Sequence, residues 1–206
     1  MLQELRQTFL PALFVLLGAL PAGASSHMEP IGQVLGGSLE APVRIEIFSN
    51  FQCTHCREYY LRTIKKVIKE YSSADKVCVI YHDFPFSYNK YDRKAARYAE
   101  AASRIGQDTL IKVFDAFYTE QATWTQNGEL EQTLEKALTK EEYRKLLEIA
   151  EDPGIDALIE QQYQLAISSG LNSTPTSIIF YPGKQQKVSG LITYVVLKGF
   201  IDKIIK

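Results

Sequence analysis

The chain has 206 residues, which suffices for one domain of ordinary size with an insertion but not for two full domains. Its apolar fraction of 46% and charged fraction of 23% are typical of a globular domain. The net charge of −1, with Lys and Arg scattered along the chain, gives no overall attraction to nucleic acid or anionic lipid, so nucleic acid is not expected as a partner.

Residues 1–24 are predicted to be a secretory signal peptide. Arg6 precedes an apolar run from Phe9 to Leu20, and Ala22-Gly23-Ala24 has the small-x-small pattern of a cleavage site. The run is shorter than the roughly 20 residues that a membrane span needs. An uncleaved anchor and a buried helix are the alternatives. A signal peptide would place the mature protein outside the cytoplasm.

The next segments predict a parallel βαβ unit. Residues 25–42 are interpreted as a linker and N-terminal extension, and residues 43–48 alternate like a strand. A helical pattern begins at about Cys53, and a second, almost entirely apolar strand is predicted over residues 76–82. A helix of this length between two strands favours a parallel pair.

A long helical region separates this unit from the C-terminal part. Helical periodicity extends from about residue 90 to 168 and is interrupted by turn residues such as Gly106. The elements predicted after it are a strand at 176–181, a short edge strand at 186–189 and a closing helix at 194–205. The sequence therefore predicts one α/β domain over residues 43–206, built as βαβ, a helical insertion at about 90–168, and ββα.

Cys53 and Cys56 lie where the first strand passes into a helix. Cysteines at i and i+3 on one helical turn lie within the distance that a disulfide tolerates. A helix N-terminus favours an anion, which lowers the pKa of Cys53, whereas Cys56 lies on the apolar helix face. The pattern predicts a redox pair in which Cys53 is the nucleophile and Cys56 the resolving thiol.

The two residues between the cysteines are candidates for tuning the thiolate. Thr54 and His55 both lie in the first helical turn, and the imidazole or N–H of His55 is expected to stabilise the Cys53 thiolate. The alternative is that His55 is merely an exposed first-turn residue.

No cofactor or metal is expected at the dithiol. A c-type haem needs His directly after the second cysteine, where this chain has Arg57. A structural zinc site needs a second pair of ligands, and neither His82 nor Cys78 pairs at a ligand spacing. Cys78 lies among aliphatic residues and is interpreted as an inert core side chain.

Two segments resemble a known family. Residues 48–56, with the sequence Phe-Ser-Asn-Phe-Gln-Cys-Thr-His-Cys, resemble the active-site segment of DsbA-like thioredoxin-fold thiol–disulfide oxidoreductases. Residues 170–176, Gly-Leu-Asn-Ser-Thr-Pro-Thr, are similar to the cis-proline loop of that family. Asp83-Phe84-Pro85 and the stretch from Phe117 to Trp124 also look like family segments.

The resemblance implies a thioredoxin-like fold with a helical insertion and an enzyme of the bacterial periplasm or cell envelope. Such enzymes pass a disulfide to unfolded or cysteine-containing exported proteins and are reoxidised by a quinone-linked membrane partner. It also implies that Pro175 is cis and lies beside Cys53. The backbone of Thr174 would then be exposed near the sulfur, ready to pair with an extended substrate.

The chain departs from the family pattern in ways that leave the direction of electron flow open. Ile47 occupies the position at which related proteins often have a buried carboxylate, and Glu46 is expected on the other face of the strand. Thr54 replaces a common proline, and Thr174 also precedes the cis-proline of isomerases and reductases. The alternatives to a dithiol oxidase are a disulfide reductase or isomerase and a non-redox peptide-binding envelope module.

Overall fold

The computed structural model of the protein describes residues 31–205, so the predicted signal peptide lies outside the described residues. The strands are β1 (Gln33–Gly36), β2 (Val43–Ser49), β3 (Val77–Asp83), β4 (Thr176–Tyr181) and β5 (Lys184–Ser189). The helices are α1 (Thr54–Tyr59), α2 (Lys65–Glu70), α3 (Asp92–Ile105), α4 (Gln107–Thr119), α5 (Gln121–Asn127), α6 (Leu130–Ala137), α7 (Lys140–Ala150), α8 (Gly154–Ser168) and α9 (Tyr194–Ile204).

A mixed sheet with strand order β1-β3-β2-β4-β5 forms the centre of the fold. β2 and β3 are parallel, which confirms the predicted βαβ unit, and β4 and β5 continue the sheet as an antiparallel pair. The loop that carries the dithiol follows the C-terminal end of β2, the central strand of the sheet. After β1, the order of elements is βαβ, helical insertion, ββα, as predicted.

The helical segment over residues 54–70, which contains α1 and α2, is continuous but irregular. A π-helical turn, Tyr60–Ile64, joins α1 to α2. Four side chains of this region that lie close together in sequence are all buried: Tyr59, Tyr60, Thr63 and Ile64. The extra residue of a π turn widens the buried face of the helix.

Strand β1 lies within the segment interpreted as a linker, and the sequence pattern did not identify it. It pairs antiparallel with β3 at the edge of the sheet, with a register shift between Val34 and Gly36. Gln33 is buried and its amide donates a hydrogen bond of 2.8 Å to Asp83 Oδ2. Four residues with one bulge are too short for a recognisable period-two pattern, so the pairing with β3 defines the strand.

The helical insertion comprises α3 to α8 and lies within the predicted range. Helix α5 is short, and its seven residues are mostly polar. Helices α3 and α4 contact β1, and α8 contacts β3. The insertion therefore covers the β1–β3 side of the sheet. In the part of the chain that the structure describes, no helix is long and apolar enough to cross a bilayer.

Phe51 anchors the loop between β2 and α1 in the core. Its side chain is fully buried. Its ring lies 5.0–5.4 Å from the ring centroids of Tyr81, Phe114, Phe117 and Tyr118. The loop that carries the dithiol is thus packed against both the sheet and the helical insertion.

We expect Phe51→Ala to destabilise the protein by about 3–5 kcal/mol, because it leaves a cavity where four aromatic rings meet. Denaturant unfolding followed by circular dichroism measures the loss. Tyr88→Ala removes an aromatic side chain that is 78% exposed and should change stability by less than about 0.5 kcal/mol. Equal losses in both variants would contradict the anchoring role of Phe51.

Candidate active site

Cys53 is the N-cap residue of α1. Its Sγ accepts a hydrogen bond from the backbone N–H of Cys56 at 3.3 Å, and its carbonyl accepts one from Arg57 N–H at 3.1 Å. The free N–H groups at a helix N-terminus and the helix dipole both favour negative charge on the capping atom. The cap therefore places the sulfur where a thiolate is stabilised.

The pKa of Cys53 is lowered from 9.0 to about 6. The largest cause is the hydrogen bond with the Cys56 side chain; partial burial opposes it, and Thr174 and the backbone N–H groups of Cys56 and His55 reinforce it. At neutral pH the reduced protein therefore carries Cys53 mainly as thiolate, the form that attacks disulfides and leaves readily.

Cys56 has the opposite environment. It is 1% exposed, and burial raises its pKa well above the ordinary 9.0. The Cys53 side chain raises the pKa of Cys56 further, whereas hydrogen bonds from Ser49 and from the Asn50 backbone lower it. One sulfur is therefore accessible and acidic, and its neighbour is buried and protonated.

The loop before β4 reaches the accessible sulfur. The Thr174–Pro175 peptide bond is cis, as the resemblance implies, and Cys53 Sγ lies 3.6 Å from the Thr174 carbonyl oxygen. The buried Asn50 side chain donates a hydrogen bond of 3.2 Å to Thr174 Oγ1. Asn50 thus holds the proline loop against the loop that carries the dithiol.

Gln121 of α5 fixes the dithiol loop from the other side. Its buried amide donates to the carbonyl oxygens of Phe51 at 2.6 Å and Cys53 at 3.0 Å. Gln52, between them, donates its backbone N–H to Asp92 Oδ1 at 3.2 Å. The insertion therefore satisfies the backbone of a loop whose residues cannot pair within a strand or helix.

A cavity of about 470 Å³ opens beside Cys53. Residues from three loops line it: Asn50, Gln52, Cys53, Thr54, Phe86, Tyr88, Asn89, Asn172, Ser173 and Thr174. The rings of Phe86 and Tyr88 are stacked, with centroids 5.3 Å apart. The Oδ1 atom of Asn50 is buried and has no hydrogen-bond partner within residues 31–205. The cavity therefore offers an aromatic shelf near the reactive sulfur.

The structure brings Cys53, Cys56, Thr174 and Pro175 together, as described above. The side chains of Thr54 and His55 are exposed in the first turn of α1, and the contribution of His55 at Cys53 is its backbone N–H. A tuning role for these two side chains stays a prediction. Asn50, Gln121, Ser49 and Tyr118 were not identified as site residues, because their contacts join segments far apart in sequence.

The third cysteine and the polar candidates His82 and Glu46 lie away from the Cys53–Cys56 pair. Cys78 is fully buried in β3, and burial raises its pKa to about 11, which fits an inert core thiol. His82 is buried, stacks on Phe48 at 4.6 Å and lies 3.2 Å from Glu46 Oε2. Glu46 therefore faces away from Cys56, as strand alternation predicts, and Ile47 lies on the Cys56 side.

Comparison with known proteins agrees with this architecture. The chain is 30% identical over 98 residues to a probable disulfide bond formation protein D of Bacillus anthracis, across 48% of this chain and 45% of the relative. It is 28% identical over 110 residues to a protein of the same name from Bacillus cereus, across 53% and 50%. The chain thus spans about half the length of the curated relatives it matches.

Solved structures show the same fold over most of their length. The oxidised form of BdbD from Bacillus subtilis superposes with a TM-score of 0.70 at 21% identity, covering 85% of this chain and 93% of that one. Alpha-DsbA1 of Wolbachia pipientis gives a TM-score of 0.68 at 19% identity, covering 86% and 92%. These similarities confirm the predicted DsbA-type thioredoxin fold with its helical insertion.

Fold and site together define a thioredoxin-fold protein with a dithiol at the start of its first long helix. The thioredoxin family model matches residues 30–203. The chain therefore belongs to the thioredoxin family.

The lowered pKa of Cys53 predicts a pH-dependent stability of the reduced form. Cys53 has a pKa of about 6 in the folded state and an ordinary value of 9.0. Its stabilisation of the folded state is therefore fully present above pH 9.0 and is lost as the pH falls towards about 6. The contribution of Cys56, whose pKa is raised, is fully present below its ordinary value and adds no slope in this range.

We therefore expect the free energy of unfolding of the reduced protein to rise, relative to the disulfide form, between about pH 6 and about pH 8. Denaturant unfolding of both forms over this range measures the difference. The disulfide form is the control, since neither active-site sulfur titrates in it. A difference that stays constant with pH would contradict the assigned pKa of Cys53.

Proposed function

We propose that this chain is a protein disulfide oxidoreductase that acts as a dithiol oxidase on exported proteins. The observation that carries the proposal is the position of Cys53 Sγ, capped by an N–H of α1 and 3.6 Å from the Thr174 carbonyl of the proline loop. An accessible thiolate beside exposed backbone is what disulfide exchange with an extended peptide requires.

The proposed reaction begins from the Cys53–Cys56 disulfide. A substrate thiolate attacks Cys53 Sγ, a new substrate–Cys53 disulfide forms, and Cys56 leaves with the electron pair of the broken bond. A second substrate thiolate then attacks the substrate sulfur and releases Cys53 as thiolate. The substrate is oxidised by two electrons, and the Cys53–Cys56 pair is reduced by the same two.

The low pKa of Cys53 supports electron flow from the substrate to the Cys53–Cys56 pair, which is oxidation of the substrate. A thiolate with a low pKa is a good leaving group, and stabilising the reduced dithiol makes the corresponding disulfide a stronger oxidant. The name of the Bacillus relatives, disulfide bond formation protein, agrees with this direction. We propose an extracytoplasmic location, reached through the predicted signal peptide, and reoxidation by a quinone-linked membrane partner.

The cavity beside Cys53 supports a peptide as substrate. A segment extended along Ser173 and Thr174 would bring a cysteine to Cys53 while a neighbouring residue rests on the shelf of Phe86 and Tyr88. Backbone pairing with such a segment recognises unfolded chains with little dependence on sequence.

Cysteine variants test the reaction. Cys53→Ser should reduce oxidation of an unfolded dithiol protein to the uncatalysed background, because the sulfur that exchanges with substrate is lost. Cys78→Ala is the matched control and should retain full activity, since that thiol is fully buried in the sheet. Full activity of Cys53→Ser would instead support the non-redox peptide-binding module.

The equilibrium potential against glutathione tests the direction. A dithiol oxidase should have a potential closer to about −120 mV than to the approximately −270 mV of thioredoxin, because Cys53 stabilises the reduced form. A value near that of thioredoxin would favour the reductase.

The aromatic shelf is tested with Tyr88→Ala. We expect the KM for an unfolded protein substrate to rise about two- to tenfold, as loss of one aromatic stacking contact implies, with kcat unchanged. Val195→Ala, which removes an equally exposed apolar side chain from α9, should leave the KM unchanged. A KM unaffected by Tyr88→Ala would exclude the shelf from substrate binding.

A further inference from the structure

The resolving thiol Cys56 lies beside a very small cavity of about 10 Å³. The side chains that line it with Cys56 are Leu35, Ile47, Ser49, Tyr59, Tyr60, Ile64, Tyr81 and Tyr118. None of these described residues is a carboxylate or a base. The volume is at the lower limit for a single water molecule, so protein groups dominate the surroundings of the sulfur.

This environment poses a problem for the exchange reaction. Cys56 becomes a thiolate whenever it leaves the Cys53–Cys56 disulfide or attacks to re-form it. Burial of an anion among apolar side chains is costly unless hydrogen bonds compensate. With Ile47 at the position of the usual carboxylate, the compensation comes from the Asn50 backbone and from the hydroxyl groups that line the cavity.

Three hydroxyl groups form a chain beside Cys56, and its first member, Ser49, lines the same small cavity as the sulfur. Ser49 Oγ lies 3.3 Å from Tyr118 Oη, and Tyr118 Oη lies 3.2 Å from Tyr81 Oη. All three side chains are buried, at 1% exposure or less for Ser49 and Tyr118 and 2% for Tyr81. The Tyr118 hydroxyl is also within 3.4 Å of the Asn50 carbonyl oxygen, to which it can donate.

These contacts allow two arrangements of the hydroxyl protons. With Cys56 as thiolate, Tyr81 donates to Tyr118, Tyr118 donates to Ser49, and Ser49 donates to the sulfur. With Cys56 as thiol, the sulfur donates to Ser49, Ser49 donates to Tyr118, and Tyr118 donates to the Asn50 carbonyl. Tyr81 donates to Tyr118 in both states, and the Asn50 carbonyl accepts the Tyr118 proton in the second, so every donor of the chain has an acceptor.

We propose that the Ser49–Tyr118–Tyr81 hydroxyl chain stabilises the Cys56 thiolate during disulfide exchange, in place of a buried carboxylate. Ser49 lines the same small cavity as the reacting sulfur and would donate to it when it is a thiolate; Tyr118 acts through Ser49 and is a positioning residue. The inference rests on the proposed role of Cys56 as resolving thiol.

The chemical step is balanced without an added reactant. In a mixed disulfide at Cys53, the Cys56 thiolate attacks Cys53 Sγ, the Cys53–Cys56 bond forms, and the outer sulfur leaves as thiolate with the electron pair of the broken bond. In the reverse direction Cys56 is the leaving thiolate. In both directions Ser49 donates to the sulfur while it is charged. The proton that Cys56 loses before it attacks, or gains after it leaves, is exchanged with solvent, and no net proton transfer through the chain is required.

The reaction of the reduced full chain with dithiobis(nitrobenzoate), an aromatic disulfide, separates the two sulfurs. The first coloured thiolate is released when Cys53 forms the mixed disulfide, and the second when Cys56 displaces the remaining aromatic group. Rates of both phases are measured against pH. The first phase reports the proposed function, and the second reports the hydroxyl chain.

In Ser49→Ala we expect the second phase to slow about tenfold or more at neutral pH and its pH profile to shift upward, because a hydrogen bond to a charged group is lost. Tyr118→Phe, which keeps the ring, should shift the profile in the same direction by less. The first phase should be unchanged in both variants.

Tyr59→Phe is the matched control. Tyr59 lines the same cavity, but its hydroxyl lies 3.1 Å from Ser177 Oγ and is outside the chain. A second phase unchanged in Ser49→Ala and Tyr118→Phe, or slowed equally in Tyr59→Phe, would overturn the inference. A wild-type first phase that titrates like an ordinary thiol would instead overturn the proposed role of Cys53.

Discussion

The site depends on one interaction, the contact of Cys53 Sγ with the side chain and the backbone N–H of Cys56 across the first turn of α1. It makes the sulfur a helix cap, so the sulfur gains stability as an anion. The same helical turn places Cys56 in the core. The contrast between the two thiols thus follows from one turn of helix.

The helical insertion is part of the site and not merely an addition to the sheet. Helix α4 supplies rings that bury Phe51, and α5 supplies the Gln121 amide that satisfies the carbonyls of Phe51 and Cys53. A loop with so many backbone groups outside regular structure would otherwise be mobile. The insertion therefore makes the geometry at Cys53 rigid before substrate binds.

Under the proposed function, separate parts of the site serve recognition and chemistry. The accessible side of Cys53 faces Thr174 and the cavity lined by Tyr88, where a peptide would lie. The buried side faces Cys56 and the hydroxyl groups of Ser49 and Tyr118. Substitutions on the peptide side should act on KM, whereas substitutions on the buried side should act on the rate at which Cys56 exchanges.

The sequence by itself determined β2, α1, β3, β4 and α9, together with the position of Cys53 and Cys56 in one helical turn, because these depend on local periodicity and spacing. The segment 170–176 indicated the proline loop only through its resemblance to a known family. Strand β1 escaped prediction because four residues with a bulge carry no usable pattern.

Only the tertiary structure decided which side chains complete the site. Asn50 meets Thr174 across 124 positions of sequence, and Ser49 meets Tyr118 across 69. Serine, asparagine and tyrosine occur throughout any chain, and nothing local distinguishes one that will reach a buried sulfur. The physical reason is that a hydrogen bond between distant segments exists only after sheet and insertion have packed, so its partners are fixed by the fold.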